Sequence, residues 1–344
     1  MKKVLVVGLG QLGLPVAKYI RGLSQSFEVY GFDIRKEAME HALNSAGISK
    51  CVDFRGFDVY VICIATHKQD DIFLPQTEGI LSIVDRISRE GKNGALVSIE
   101  STIPKGTSRK VSEILDHRLH VVHAPHRWYA KEEAEHGVNQ PRAIGGVEKC
   151  CLDRGLQFYG DGRTTNLHTA ALHNARGVTS SSKISSNGSS LGIPMHPLPN
   201  VELAELAKVI ENAHRFLQIA FAEELYLYCE ANNLDFFRLR AALNTKWNVQ
   251  ILEPREGIGG HCLPKDTRMF LESSQAIKSK ILTAAMEADM QYREHRGITI
   301  ENRLKVLDYA KKEELMNILQ ESESPSVKQQ PVVAAPTLQA RSEV

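Results

Sequence analysis

The stretch Gly257-Ile258-Gly259-Gly260-His261-Cys262-Leu263-Pro264-Lys265-Asp266 sets a thiol, an amine and a carboxylate behind three glycines. The glycines let a ligand approach the backbone closely and give the loop its bend. A thiolate is a strong nucleophile, and Lys265 with neighbouring N–H groups is placed to lower its pKa. Asp266, four residues on, is placed to act as a base or an orienting partner. The other reading of Cys262 is a small buried apolar residue, and spacing alone does not choose between the two. Lys208 and Asn212, four apart, share one face of a predicted helix, with Glu205 one turn earlier. A lysine and an amide in a largely apolar helix are costly to bury without partners. They form either a solvated stripe or a polar patch that faces a cleft and donates to a developing oxyanion.

A second constellation opens the chain. Gly8-Leu9-Gly10-Gln11-Leu12-Gly13 is G-x-G-x-x-G between a predicted strand and a predicted helix, and Asp33 stands twenty residues past the last glycine. Gly8 permits the tight turn, Gly10 lets a pyrophosphate reach the backbone, and Gly13 lets helix pack on strand. The helix start at Gln11 and Leu12 offers N–H groups and a positive dipole end to phosphates. Asp33 can accept from ribose hydroxyls and would repel a 2′-phosphate, so the pattern predicts NAD; Arg35 leaves NADP open, and flavins use the same fingerprint. His117, His120, His123 and His126 recur every third residue. They fall on a helix end, a strand and a loop and cannot share one face, so no metal is assigned.

These groups need elements to position them. The 344 residues suggest about two domains. Lys+Arg 42 against Asp+Glu 41 leaves a net charge of +1, so no global field attracts nucleic acid or an anionic membrane. No apolar run has the length of a transmembrane helix. The N-terminal apolar stretch, broken by Gly8, Gly10 and Gln11, reads as strand and turn rather than as a signal peptide. Six cysteines without a CxxC pair fit free thiols in a reducing cytoplasm.

Apolar strands are predicted at Val4–Val7, Glu28–Asp33, Asp58–Ala65, Ala95–Glu100 and His120–His123. Helices between them make an α/β fold with an N-terminal doubly wound parallel sheet, a Rossmann domain. A long helix follows from Val201 to Asn233, with Asn200 at its N-cap. Its apolar residues lie on more than one face, which places it in a core or a dimer interface. Shorter helices are predicted at Phe236–Leu243, near Thr267–Ile277 and at Ile281–Arg293. The domains expected are an NAD-binding domain over 1–198, an all-helical dimerisation and substrate domain over 199–319, and a disordered tail over 320–344. Residues 179–190 are ten of twelve Ser, Thr, Asn or Gly, and the segment about 160–190 is expected to be a disordered insertion.

The chain resembles the nucleotide-sugar 6-dehydrogenases, a family that includes the UDP-glucose, GDP-mannose and UDP-N-acetylmannosamine dehydrogenases. The likeness lies in VGLGQLGLP at the start, ESTIPKGT from Glu100, AELAKVIENAHRFLQIAFAEEL on the long helix, and GIGGHCLPKD at the cysteine. It implies two successive NAD-dependent oxidations of the C6 hydroxyl of a UDP-sugar, as used in polysaccharide biosynthesis. In that scheme Cys262 forms a thiohemiacetal and then a thioester, which water releases as the uronic acid. Lys208 and Asn212 would stabilise oxyanions, Asp266 and Thr102 would handle water and protons, and Thr66, Ser101 and Thr102 would lie near the cofactor. The long helix would be the core of a homodimer.

Four departures accompany the likeness. Too few residues follow Arg293 to build the family's C-terminal nucleotide-holding domain. The family's Pro-Glu pair after the fifth strand is Pro125-His126 here, so His126, Glu132 or Glu133 would replace that carboxylate. The usual Thr-Pro after the third strand is Thr66-His67, and the serine-rich insertion precedes the long helix. Two other functions stay open: a single-step NAD-dependent hydroxy-acid dehydrogenase, and a non-catalytic NAD-binding dimer.

Overall fold

The computed structural model describes residues 1–298 apart from residues 24, 68–73, 129–132, 161–189, 261 and 274–278. Nearly all of the expected insertion, the tail past 319, His261 and Glu132 therefore lie outside the described residues. Strands β1 (Lys2–Val7), β2 (Phe27–Phe32), β3 (Ser49–Lys50), β4 (Val59–Ile62), β5 (Leu96–Ile99), β6 (His120–His123), β7 (Arg142–Gly146) and β8 (Met195–Pro197) form one sheet. Its order is β3-β2-β1-β4-β5-β6-β7-β8, parallel throughout except where β7 runs against β6. The first six strands thus have the order of a dinucleotide-binding sheet, which reverses direction between β1 and β4 and opens a crevice there at the strands' carboxyl ends.

Alternation along β1 shows why the sheet is covered on both sides. Val4 and Val6 join a core with α1 (Gly13–Gly22), α2 (Lys36–Ala46) and α5 (Lys149–Tyr159). Leu5 and Val7 join another with α3 (Glu78–Glu90) and α4 (Thr107–Ile114). Strands buried on both faces require the continuous apolar runs seen in the sequence.

Helix α6 (Val201–Ala231) then carries α7 (Phe236–Leu243), α8 (Cys262–Glu272) and α9 (Lys280–His295). The Asn200 side chain accepts from the Leu203 N–H at 3.0 Å, which starts α6 where the sequence places it. Docking of α6 on the sheet is specified by two contacts. A Cβ on Gly145 of β7 would lie 2.7 Å from the Val201 Cα, so only glycine lets the helix start this close. The fully buried Glu205 carboxylate accepts from the Gly106 and Ser108 N–H groups at 2.6 and 2.8 Å, capping α4 from a different element. Glu205 is thus a splint between helices. Residues 1–299 form one compact unit; a boundary near residue 198 between sheet and helical parts stays our proposal. No helix among the described residues is long and apolar enough to cross a membrane.

Four elements appear that the sequence did not announce: β3, β7, α5 and β8. Helix α8 also begins at Cys262, five residues ahead of the predicted Thr267. Pro264 falls in its first turn, where a missing N–H is tolerated.

Candidate active site

The glycine loop joins β1 to α1 at the crevice. Gly8 has φ +86°, and a Cβ there would lie 2.5 Å from the Cys63 carbonyl oxygen. A Cβ on Gly13 would lie 1.7 Å from the Gly8 oxygen, so helix and loop cannot pack with any other residue. Gly10 differs: the nearest atom to a Cβ there is Arg35 Nη2 at 3.5 Å. That neighbour is the far end of an exposed side chain, which leaves the approach a pyrophosphate needs. Gln11 is exposed and Leu12 half-buried at the start of α1. Asp33, at the end of β2, accepts from the Leu9 N–H through Oδ2 and from the Arg35 N–H through Oδ1, both at 2.8 Å. The acid therefore orders the loop. A cradle that a side chain would fill, with a held carboxylate beside it, fits a dinucleotide.

We expect Asp33→Ala to weaken NAD binding at least about tenfold and to narrow its preference over NADP, since a hydrogen bond to a charged group contributes about 1.5–3 kcal/mol. Fluorescence titration with both cofactors checks this. Unchanged affinity for both would remove Asp33 from the site.

Across the crevice, four elements meet through one hydrogen-bonded chain. Thr66, after β4, donates from Oγ1 to the Thr102 carbonyl at 2.7 Å. Lys265 Nζ donates to Thr66 Oγ1 at 3.3 Å and to Asp266 Oδ1 at 2.6 Å. Asn212 Nδ2 donates to Asp266 Oδ2. Ser101 Oγ donates to the Ile64 carbonyl at 2.7 Å, holding the loop after β5 against the loop after β4. The structure thus brings Thr66, Thr102, Asn212 and Asp266 together. It adds Lys265, whose ammonium is buried against Asp266 and Thr66.

Cys262 opens α8, exposed at its residue surface. The surrounding protein and then Asp266 push its thiol above the usual range, while Lys265 and Lys208 pull it down. The activation expected from Lys265 is therefore present but outweighed, and the resting group is a thiol. Half-buried Lys208 places its charge within reach of both Cys262 and His126.

Beneath Thr102 lies a buried polar network that the sequence reading did not assemble. Glu100 contacts His126 Nε2, accepts from the Tyr159 hydroxyl and pairs with Arg142 Nη1 at 3.2 Å. Tyr159 also shares a 2.7 Å hydrogen bond with Ser98. Burial alone would raise the Glu100 pKa, but Arg142, then His126 and Tyr159, outweigh it and hold the carboxyl at about 2. Burial and Arg142 lower His126 to about 4 despite Glu100. At neutral pH the pair is a carboxylate and a neutral imidazole. Glu133 is exposed. Of the other histidines, His117 meets Ser112 and His123 is fully buried, so the four do not converge.

Residues 39–161 match the UDP-glucose/GDP-mannose dehydrogenase family, NAD binding domain, and residues 202–291 match the central domain of the same family. The chain is 25% identical over 309 residues to a UDP-N-acetyl-D-mannosamine dehydrogenase from Methanococcus maripaludis, covering 83% of this chain and 65% of that protein. It is 27% identical over 305 residues to the Pyrococcus horikoshii protein of the same name, covering 79% and 65%. The chain thus spans about two thirds of the length of these relatives. A solved structure titled as UDP-D-ManNAc dehydrogenase from Pyrococcus horikoshii superposes with TM-score 0.67 at 24% identity, over 86% of this chain and 70% of the other. That likeness shows the fold.

Proposed function

Since the chain belongs to the UDP-glucose/GDP-mannose dehydrogenase family, whose NAD-binding and central domains match more than half of it, we propose that it oxidises the C6 hydroxyl of a UDP-sugar twice. UDP-N-acetylmannosamine and UDP-glucose are the candidate substrates. NAD, held at Gly8, Gly10, Gly13 and Asp33, supplies the hydride acceptor. The observation that carries the reading is the chain from Asn212 through Asp266 and Lys265 to Thr66 and Thr102. It gathers α6, α8 and two strand-end loops at the crevice.

In this reading Lys208 and Asn212 stabilise the alkoxide as the C6 hydroxyl loses its proton and the carbon its hydride. The Cys262 sulfur adds to the resulting aldehyde as the thiol proton passes to the carbonyl oxygen, forming a C–S bond and a thiohemiacetal. Loss of the second hydride from that carbon leaves a thioester, and water breaks the C–S bond to give the carboxylate and the free thiol. Overall, one alcohol, two NAD⁺ and one water give one carboxylate, two NADH and three protons. Asp266, gripped by Lys265 and Asn212, orients the donors around Cys262, and Thr102 lies beside the reacting carbon. His126, neutral and anchored on Glu100, has an Nδ1 without a hydrogen-bond partner among the described residues. It is our candidate to accept the hydrolytic water's proton.

The test is stoichiometric. The protein is incubated with NAD and each UDP-sugar, and NADH per sugar consumed is counted. Two supports the reading. One indicates a single-step hydroxy-acid type of dehydrogenase, and none with NAD binding retained indicates a non-catalytic dimer. Substrate binding should also raise thermal stability, because a ligand of the native state stabilises it.

We further propose a cytoplasmic homodimer built on α6. Leu203 and Ile210, seven residues apart, and Phe221 and Tyr228, likewise seven apart, are exposed, as are Phe237 and Trp247 beyond them. Such a succession of uncovered apolar residues is a surface for burial. Light scattering is expected to give twice the chain mass at micromolar concentration. A monomer that stays monomeric would defeat the proposal.

A further inference from the structure

His120 stands thirty residues before the adjacent pair Cys150 and Cys151, yet the fold brings the three ligand atoms within 4.8 Å of one another. His120 begins β6, and Cys150 and Cys151 are the second and third residues of α5. The antiparallel pairing of Val122 with Gly146 sets the start of β6 beside the start of α5. Cys151 is buried at the core margin, whereas Cys150 is exposed beside it. We propose that these three side chains form a binding site for a thiophilic divalent cation of the zinc class.

The chemistry follows from the donors. Two thiolates and one imidazole suit zinc-like ions and not the oxygen-seeking magnesium or calcium. Tetrahedral zinc, with Zn–S about 2.3 Å and Zn–N about 2.0–2.1 Å, holds its ligand atoms roughly 3.5–3.8 Å apart. Closing the observed cluster to that size takes a shift of about an ångström, within reach of a Cys150 χ1 rotation. Burial pushes the Cys151 thiol up, so the cation must displace its proton on binding. Binding releases two thiol protons to solvent and forms two metal–sulfur bonds and one metal–nitrogen bond. The fourth position opens to water on the Cys150 side.

The competing use of two thiols, a disulfide, is disfavoured by covalent geometry. Neighbouring Cα atoms are about 3.8 Å apart, below the roughly 4.4–6.8 Å a disulfide needs. The site is also separate from the catalytic crevice. His120 stands at the amino end of β6, whereas Thr66, Thr102 and His126 follow the carboxyl ends of β4, β5 and β6. An ion here would tie the first turn of α5 to β6 and act on stability without entering the reaction.

The experiment uses the full chain, stripped with a chelator and titrated with Co²⁺, then Zn²⁺. One Co²⁺ per chain should bind with a thiolate-to-cobalt charge-transfer band, which Zn²⁺ abolishes. Zn²⁺ should also raise the thermal midpoint. Cys150→Ser should bind Co²⁺ at least about tenfold more weakly and lose the Zn²⁺-dependent rise. His120→Ala should weaken binding similarly, and Cys262→Ser should keep the band. Absence of a stoichiometric thiolate band would overturn the site. So would a band that survives in Cys150→Ser or disappears in Cys262→Ser.

Discussion

Cys262→Ser is expected to abolish uronic acid formation almost completely while NAD binding stays intact. A serine hydroxyl at this position is essentially un-ionised at neutral pH and is a far poorer nucleophile than a thiolate. The thiol is needed only once the aldehyde exists, so the first oxidation should survive and aldehyde or a stalled ester-like adduct should accumulate. Lys208→Ala should fail earlier, losing about 10²–10³ in the rate of the first oxidation, because it removes the donor that stabilises the alkoxide. Intact-protein mass spectrometry after incubation with NAD and a UDP-sugar reads the adduct, and NADH release reads each oxidation. Full uronic acid production by Cys262→Ser would end the thioester mechanism. Because burial and Asp266 raise the wild-type thiol, its alkylation by iodoacetamide, followed by peptide mapping, should accelerate as pH rises beyond the usual thiol range.

Arg142→Met should be the most destabilising single change near the site, by about 3–5 kcal/mol at neutral pH. Removing one partner of a buried pair leaves the other charge uncompensated, and here that charge is Glu100, 1% exposed as is Arg142. The pH dependence carries a sign. Glu100 has a folded pKa of about 2 against an ordinary 4.5, so its ionised form adds stability above pH 4.5 that is lost as pH falls toward 2. The variant's deficit should therefore shrink in acid. His123 at about 3 and His126 at about 4, both below an ordinary 6.5, add wild-type stability above pH 6.5 that is lost as pH falls through their folded values. Urea unfolding from pH 7 downward measures both effects. Adding Glu100→Gln to Arg142→Met should recover part of the loss, as coupled neighbours do. A deficit under about 1 kcal/mol, or one independent of pH, would show that Glu100 is held by its other partners.

The two ends of the site were unequally legible. The glycine loop, Asp33 and five strands could be read because each depends on local chemistry: a turn, a continuous apolar run, an acid at the end of a strand. Asn200 announced α6 for the same reason. The other elements answer to distant neighbours. Gly145 is required by the approach of Val201, and in the sequence two glycines in RAIGG argue against a strand. Arg142 reads as a surface charge until Glu100 is placed beside it. Glu205, taken with Lys208 as part of a polar stripe, caps a helix almost a hundred residues earlier. Lys265 shows the same limit. Spacing pairs it with Cys262, whereas its ammonium reaches Asp266 and Thr66.

The splint at Glu205 also fixes where movement of α6 is felt. At about 1.5 Å per residue, Lys208 lies some 4.5 Å along the helix from that pin, Asn212 about 10.5 Å, and Tyr228 about 34.5 Å. The helix is then a lever whose fulcrum sits beside the proposed catalytic groups and whose long arm ends in the exposed aromatic residues. A tilt that carries Tyr228 through about 4 Å displaces Lys208 by only about 0.5 Å and Asn212 by about 1.2 Å on the same rigid-rod geometry. Adjustment at the proposed assembly surface is thereby demagnified before it reaches the proposed site, and Asn212 feels it more than Lys208.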